Sequence, residues 1–229
     1  MTRPGNVPSV ARRSGRDWNP SVPVVLFDLD NTLLDHEVAF ARWADSFCEA
    51  NGLPDDAHPW LIAAYDEGFR PRKEVFAEVR SRYDLDDPVE DMVAAYHCDY
   101  PTAFQFPTDS RNALRRLRSA GWKVAIVING PRSQERNLEV TGLGDEIDAV
   151  CVSAHVESWK PDPWIFEEAA SRCDVELDRW MVGDSGPADI RVGQSLGTRT
   201  IWPGRGSTWE LGGPEPDAQV ADMPAAASP

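Results

Sequence analysis

Two carboxylates, Asp28 and Asp30, stand two residues apart directly behind a short apolar run, VVLF at 24–27. A lone pair of this kind also reads as a polar strand end closing into a turn. Other reactive residue types follow in the same position relative to later apolar runs. Asn129-Gly130 comes after KVAIVI (123–128), and Lys160-Pro161 comes shortly after the run that ends at Ser153. Gly183-Asp184-Ser185 follows 180–182, with Asp189 five residues past Asp184. Paired carboxylates can supply a nucleophile and an acid–base partner. Massed together they stay ionised only if positive charge sits among them. Hard oxygen donors of this type suit Mg2+, which keeps waters and is completed by substrate phosphate. The set therefore predicts a metal and an anionic substrate, with Lys160 as a further cation.

For these residues to meet, the apolar runs must be neighbouring strands. The continuous run at 24–27 reads as a strand buried on both faces. From residue 108 onward strands and helices alternate: helix 108–120, strand 123–128, helix 133–141, strand 149–153, helix 163–173, strand 180–182, helix 188–196 and strand 198–202. That alternation predicts an α/β fold, a Rossmann-like parallel sheet with helices on both faces. Its ligands belong at the carboxyl ends of the strands. Residues 219–223 read as a last edge strand. Between the first strand and this series lie four helical patterns, at 37–50, 60–67, 72–83 and 88–100, and no strand. The expected organisation is a disordered N-terminal extension at 1–21, a core at 22–35 and 105–223, an inserted all-helical cap at 36–104, and a tail at 224–229. The lining of that cap is expected among His36, Trp43, Arg70, Arg72 and Lys73. His36 also reads as a plain helix start, and Thr32 as a turn-bracing hydroxyl. Trp159, beside Lys160, is a candidate for stacking on substrate.

With a formal net charge of -15 over 229 residues, the chain lacks the basic stripe that nucleic acid demands. Its four cysteines form no CxxC pair and read as small buried residues of a reducing cytoplasm. The Arg-bearing first twenty residues contain no apolar stretch of a secretory signal, and no window approaches a membrane span. The expectation is a soluble cytoplasmic protein, monomer or homodimer, acting on a small molecule.

The order DxDxT, strand-end Asn-Gly, Lys-Pro and GDSxxxD resembles the haloacid dehalogenase-like hydrolase superfamily, across roughly residues 22–223. Any one of these motifs is weak; the four in order are specific. The resemblance implies a Rossmann-like core with a helical cap. It implies that Asp28 is the nucleophile that forms an aspartyl-phosphate, and Asp30 the general acid and base. Lys160 is implied as the cation steadying the phosphoryl group, and Asn129 and Gly130 as phosphate-binding. Mg2+ is implied as the cofactor, held by Asp28, Asp30 through its carbonyl, and Asp184, with Asp189 orienting a metal water or Lys160. Family dehalogenases lack a carboxylate where Asp30 stands, so the implied function is a phosphatase acting on a small phosphorylated metabolite. A phosphomutase shares the motifs. One departure stands out: Ile128 occupies the strand end where the family places Ser or Thr. That opens a third reading, a weakly active or inactive phosphate-binding regulatory protein.

Overall fold

The computed structural model describes residues 22–65, 70–177, 180–210 and 212–226. The expected extension at 1–21, the end of the helix expected at 60–67 and the last residues of the expected tail lie outside them.

Among the described residues six strands form one sheet, every pairing parallel: β1 (Val24–Phe27), β2 (Lys123–Ile128), β3 (Ala149–Val152), β4 (Trp180–Val182), β5 (Arg199–Pro203) and β6 (Ala218–Val220). Their spatial order is β3-β2-β1-β4-β5-β6. The chain thus builds outward from β1 first on one side and then on the other. The order reverses between β1 and β4, where such sheets open a crevice at their carboxyl ends. Strand side chains alternate between the two faces. Val24, Leu26, Ala125 and Val127 pack with Ile165, Phe166 and Ala169 of α8 (Pro163–Arg172). Val25, Phe27, Val124 and Ile126 pack on the other face, whose cluster includes Ala113 and Leu114 of α5 (Thr108–Ser119). Both faces are covered, and the strands accordingly read as unbroken apolar runs.

Four helices stand between β1 and α5: α1 (His36–Ala50), α2 (Ala57–Tyr65), α3 (Arg72–Tyr83) and α4 (Val89–Ala103). Aromatic rings hold them together. Phe40 of α1 stacks on Tyr65 of α2 at 3.7 Å between centroids, and Trp43 meets Phe76 and Tyr96 edge-on at 5.7 and 4.9 Å. Trp43 is therefore part of this inner core, away from any lining. The helices rest on the core partly through α4 against α6 (Gln134–Thr141).

Several boundaries differ from the sequence expectation. Ser153 opens a short helix, α7 (Ser153–Val156), instead of closing β3. The helix expected at 188–196 divides into a π-helical turn, Gly186–Ile190, and α9 (Arg191–Ser195). Ser185 caps that turn by accepting from the Ala188 N–H at 3.2 Å, and Pro187 at its start lacks a donor in any case. The edge strand ends at Val220. There Asp222 accepts from the Ala225 N–H at 3.0 Å and starts α10 (Met223–Ala226), whose apolar side joins the core. No described helix is long and apolar enough to cross a membrane.

Phe27 is fully buried directly before Asp28. Phe27→Ala is expected to cost about 3–5 kcal/mol through the cavity it leaves. Urea denaturation checks this as a lowered midpoint at unchanged slope, and an unchanged midpoint would refute the packing account.

Candidate active site

The site begins where β1 stops. Asp28 keeps its backbone in the sheet by donating its N–H to the Val182 carbonyl at 2.8 Å. The chain then turns sharply: Leu33 and Leu34 N–H groups both return to the Leu29 carbonyl at 2.9 Å, and Asn31 adopts the left-handed conformation at φ 58°. Asn tolerates that region better than most residues. The turn is closed by these backbone bonds, and the buried Thr32 hydroxyl, expected to brace it, has no hydrogen-bond partner among the described residues.

Lys160 reaches the buried Asp28 from the loop before α8. Its ammonium donates to Asp28 Oδ1 at 2.5 Å and to Asp189 Oδ1 at 2.8 Å, and its side chain is 3% exposed. Asn129 fixes the Lys160 backbone: its Oδ1 accepts the Lys160 N–H at 2.7 Å and its Nδ2 donates to the Lys160 carbonyl at 2.9 Å. Both ends of the Asn129 amide are thus engaged with the lysine. The Gly130 N–H donates to Ser153 Oγ at 2.9 Å. The register pairs Ile128 with Val152, so Ile128 does stand at the strand end, buried in the core with no hydroxyl to offer.

Asp189 has no exposed surface. Its second oxygen accepts the Ser185 N–H at 3.1 Å, so it is the partner of Lys160 and of the turn. It is thus no solvated carboxylate at a helix start. Gly183 makes the room, because a Cβ there would fall inside the Asp189 carboxylate. Asp184 is half-buried next to this pair and its carbonyl accepts from Trp202 Nε1 at 3.0 Å.

Ligand oxygens of Asp28, Asp184 and Asp189 all lie within 4.8 Å of one another. Lys160 is the ammonium that touches two of them, and its charge does not balance three carboxylates. Burial, then Asp189, raises the Asp184 pKa to about 6. Burial likewise raises Asp28, with Lys160 opposing it and Asp189 and Asp184 adding to it. Lys160 is held protonated, since the two carboxylates outweigh its desolvation. Hard oxygens short of positive charge form a donor set for a small divalent cation.

Asp30 sits at the rim with both oxygens occupied. His36 Nε2 lies 2.7 Å from Oδ1 and Gln134 Nε2 donates to Oδ2 at 2.8 Å. The Gln134 side chain passes over Gly130, where a Cβ would come within 2.8 Å of its Cγ. The sequence offers no signal for Gln134, an amide in a helix's first turn. Of the other cap candidates, Arg70 pairs with Glu78 at 2.5 Å and Lys73 with Glu90 at 2.7 Å, both at exposed positions. The Arg72 guanidinium lies over the Tyr65 ring at 4.4 Å. Trp159 is 53% exposed beside Lys160. Asp35 caps α1 by accepting from the Val38 N–H at 2.9 Å, and Arg205 from the loop after β5 pairs with it.

Comparisons with known proteins bear on this constellation. Residues 25–202 match a family model described as haloacid dehalogenase-like hydrolase. The pyrophosphatase PpaX of Bacillus velezensis is 30% identical over 218 residues, 88% of this chain and 93% of that protein. A glyceraldehyde 3-phosphate phosphatase of Pyrococcus abyssi is 29% identical over 197 residues, 79% of this chain and 81% of that one. The solved structure of the HAD-hydrolase YfnB of Bacillus subtilis, bound to magnesium, shares the fold with a TM-score of 0.67. It covers 90% of this chain and 96% of that one at 22% identity.

Gly183→Ala is expected to push Asp189 off Lys160 and destabilise the protein by about 3 kcal/mol, the scale of a broken buried ion pair. Chemical denaturation reads it directly. Wild-type stability in the variant would mean that the Asp189 seat is not tight.

Proposed function

The chain belongs to the haloacid dehalogenase-like hydrolase family, and on that premise we propose that it is a Mg2+-dependent phosphatase of a small phosphorylated metabolite. The observation that carries this reading is the buried Asp28–Lys160–Asp189 triad standing beside Asp184 and within one turn of Asp30. Asp28 is the nucleophile. Its carboxylate oxygen attacks phosphorus, the bond to the leaving oxygen breaks, and an aspartyl-phosphate forms. Asp30 gives its proton to the departing oxygen, then takes one from the water that attacks phosphorus in the second half. Phosphate leaves and the Asp28 carboxylate is restored. Lys160 sets a fixed positive charge where phosphoryl charge collects, in a site it reaches without exposure to water.

Asp28 and Asp184, with the Asp30 carbonyl, would hold the cation, and Asp189 would act on it through Lys160. The residues fit Mg2+ on their donor chemistry and on the excess of negative charge among them. When bound, that ion supplies charge that keeps Asp28 ionised and screens it from an anionic phosphoryl group. The likeness to two phosphatases at about 30% identity supports the reaction class. A carboxylate at Asp30 supports phosphoryl transfer over dehalogenation. Cysteines 48, 98, 151 and 173, all unpaired, support a reducing, cytoplasmic setting.

A second reading, a phosphate-binding protein of low turnover, draws on Ile128 and on the engagement of the Gly130 N–H by Ser153. Hydrolysis of an aryl phosphate separates the two. Turnover that needs Mg2+, stops with chelator and falls below about 0.1% in Asp28→Asn is the expected result. Tight phosphate binding without turnover would favour the second reading, and Ile128→Thr would then be expected to switch turnover on.

Stability carries a further prediction. Folded Asp184 keeps its proton up to about pH 6, against an ordinary value of 3.8. Between those values the unfolded chain releases a proton that the folded one retains, so the metal-free protein loses stability as pH rises through the window. Mg2+ binds the ionised form and is expected to raise Tm more at about pH 7.5 than at about pH 5. Equal shifts at both would contradict a site built on Asp184.

A further inference from the structure

The Asp30 side chain is 29% exposed and stands on a tight turn, where an aspartate left to itself would sample several rotamers. Two donors from different parts of the fold hold it. On the core side, Gln134 Nε2 donates to Oδ2, and the orientation of that amide is fixed because Gln134 Oε1 accepts from Asn137 Nδ2 at 2.6 Å. On the other side, His36 Nε2 meets Oδ1 at 2.7 Å, and its Nδ1 lies 3.0 Å from the Tyr100 hydroxyl. The Tyr100 hydroxyl oxygen also lies 3.2 Å from the His36 carbonyl oxygen and 3.3 Å from the Tyr65 hydroxyl.

The imidazole has little freedom. Phe104 meets it edge-on at 4.8 Å, and Tyr100 is stacked on Tyr96 at 4.8 Å. The whole chain of contacts is satisfied by one assignment of protons: Nε2–H donated to Asp30, Nδ1 accepting from Tyr100, and Tyr100 accepting from Tyr65. A continuous series of side chains, Asn137–Gln134–Asp30–His36–Tyr100–Tyr65, therefore runs from α6 through the carboxylate into α1, α4 and α2.

We propose that His36 is a positioning residue for Asp30, seated by Tyr100, so that the inserted helices set the aim of the general acid without touching the reacting atoms. The proposal rests on the phosphatase reading and on Asp30 as its acid. It differs from a merely structural role in one measurable respect. A proton donor matters most when the leaving oxygen is a strong base and least when it departs as a stable phenolate. Misplacing the donor must therefore slow alkyl esters more than activated aryl esters, whereas a loosened fold slows both alike.

The experiment compares 4-nitrophenyl phosphate with a simple alkyl phosphate, under saturating Mg2+, in the wild type, Asp30→Asn, His36→Ala, His36→Gln and Tyr100→Phe. Asp30→Asn fixes the size of a complete loss of proton donation. In His36→Ala, kcat for the alkyl ester is expected to fall on the order of ten- to a hundredfold. The aryl ester should fall no more than about threefold, with KM changed less than about twofold. His36→Gln, which keeps an N–H donor near the same reach, should recover most of the alkyl activity. Tyr100→Phe should show a smaller loss of the same sense.

Equal losses on both esters in His36→Ala, no loss, or no rescue by Gln would overturn the proposal while leaving the phosphatase reading intact. A wild type inactive on every ester would overturn that reading instead, and equal losses in Asp30→Asn would overturn the acid assignment and the proposal with it. A measurement independent of turnover covers variants that fold poorly. In the wild-type protein the His36 Nε2 proton should give a protected, downfield imidazole resonance that is lost in Asp30→Ala. Its absence from the wild type would overturn the contact on which the proposal stands.

Discussion

The ammonium of Lys160, held between Asp28 and Asp189 with almost no access to water, is the contact on which the rest of the site depends. Removing one member of a buried ion pair leaves an uncompensated charge in a low-dielectric interior, which is far costlier than losing a surface pair. Each neighbour of this ammonium is therefore fixed in turn. Asn129 locks the lysine's backbone from the end of β2, Ser185 donates to Asp189, and Gly183 leaves the space in which Asp189 lies. These supports come from the ends of β2 and β4, on either side of the β1 end that carries Asp28 itself. The parallel sheet serves the chemistry by bringing strand ends together at the point where the strand order reverses, between β1 and β4.

The triad is also short of positive charge by construction. The raised pKa of Asp184 and the upward pressure on Asp28 have the same origin: burial next to other carboxylates. A cluster of this kind trades stability for readiness, because its ionised form is favoured only when a cation or an anionic ligand with its counterion completes the site. In the proposed mechanism the same imbalance makes Asp28 reactive, since a carboxylate poorly solvated by water is held by a few fixed partners.

Much of this was legible in the sequence, and the reasons are specific. β1, β2 and β4 announce themselves as unbroken apolar runs because both faces of the sheet are covered, and the residues just past each run are the ones that converge. Asp189 is a harder case. From sequence it reads equally as a solvated helix-start carboxylate, and only its seat over Gly183 distinguishes the two. Asn129 illustrates a different limit. Its type and place are visible, but which way its amide faces is decided by the loop carrying Lys160, which arrives thirty-one residues later. Gln134 and Tyr100 left no trace, because an amide and a phenol within helices have no chemistry of their own to advertise. Ser153 opens a short helix where the local pattern reads as strand, with its hydroxyl bonded across to Gly130. Asp222 starts another through a single capping bond that a run of residue types does not encode.

The two carboxylates that stand two residues apart are thus held by different parts of the molecule. Asp28 and its lysine are braced by the core alone. Asp30 is held from both sides, by Gln134 on α6 and by His36 on α1, and the contact between α4 and α6 passes close to both supports. In the proposed mechanism, a nucleophile held by a lysine of the core and an acid held by α1 as well as α6 have a mechanical consequence. In that mechanism a displacement of α1 reaches the Asp30 carboxylate through its bond to His36, whereas the Asp28 carboxylate is held by Lys160 from the core. The aromatic packing of Phe40, Trp43, Tyr96 and Tyr100 makes that path stiff, so the position of the helices is transmitted as a change of aim rather than absorbed by side-chain rotation.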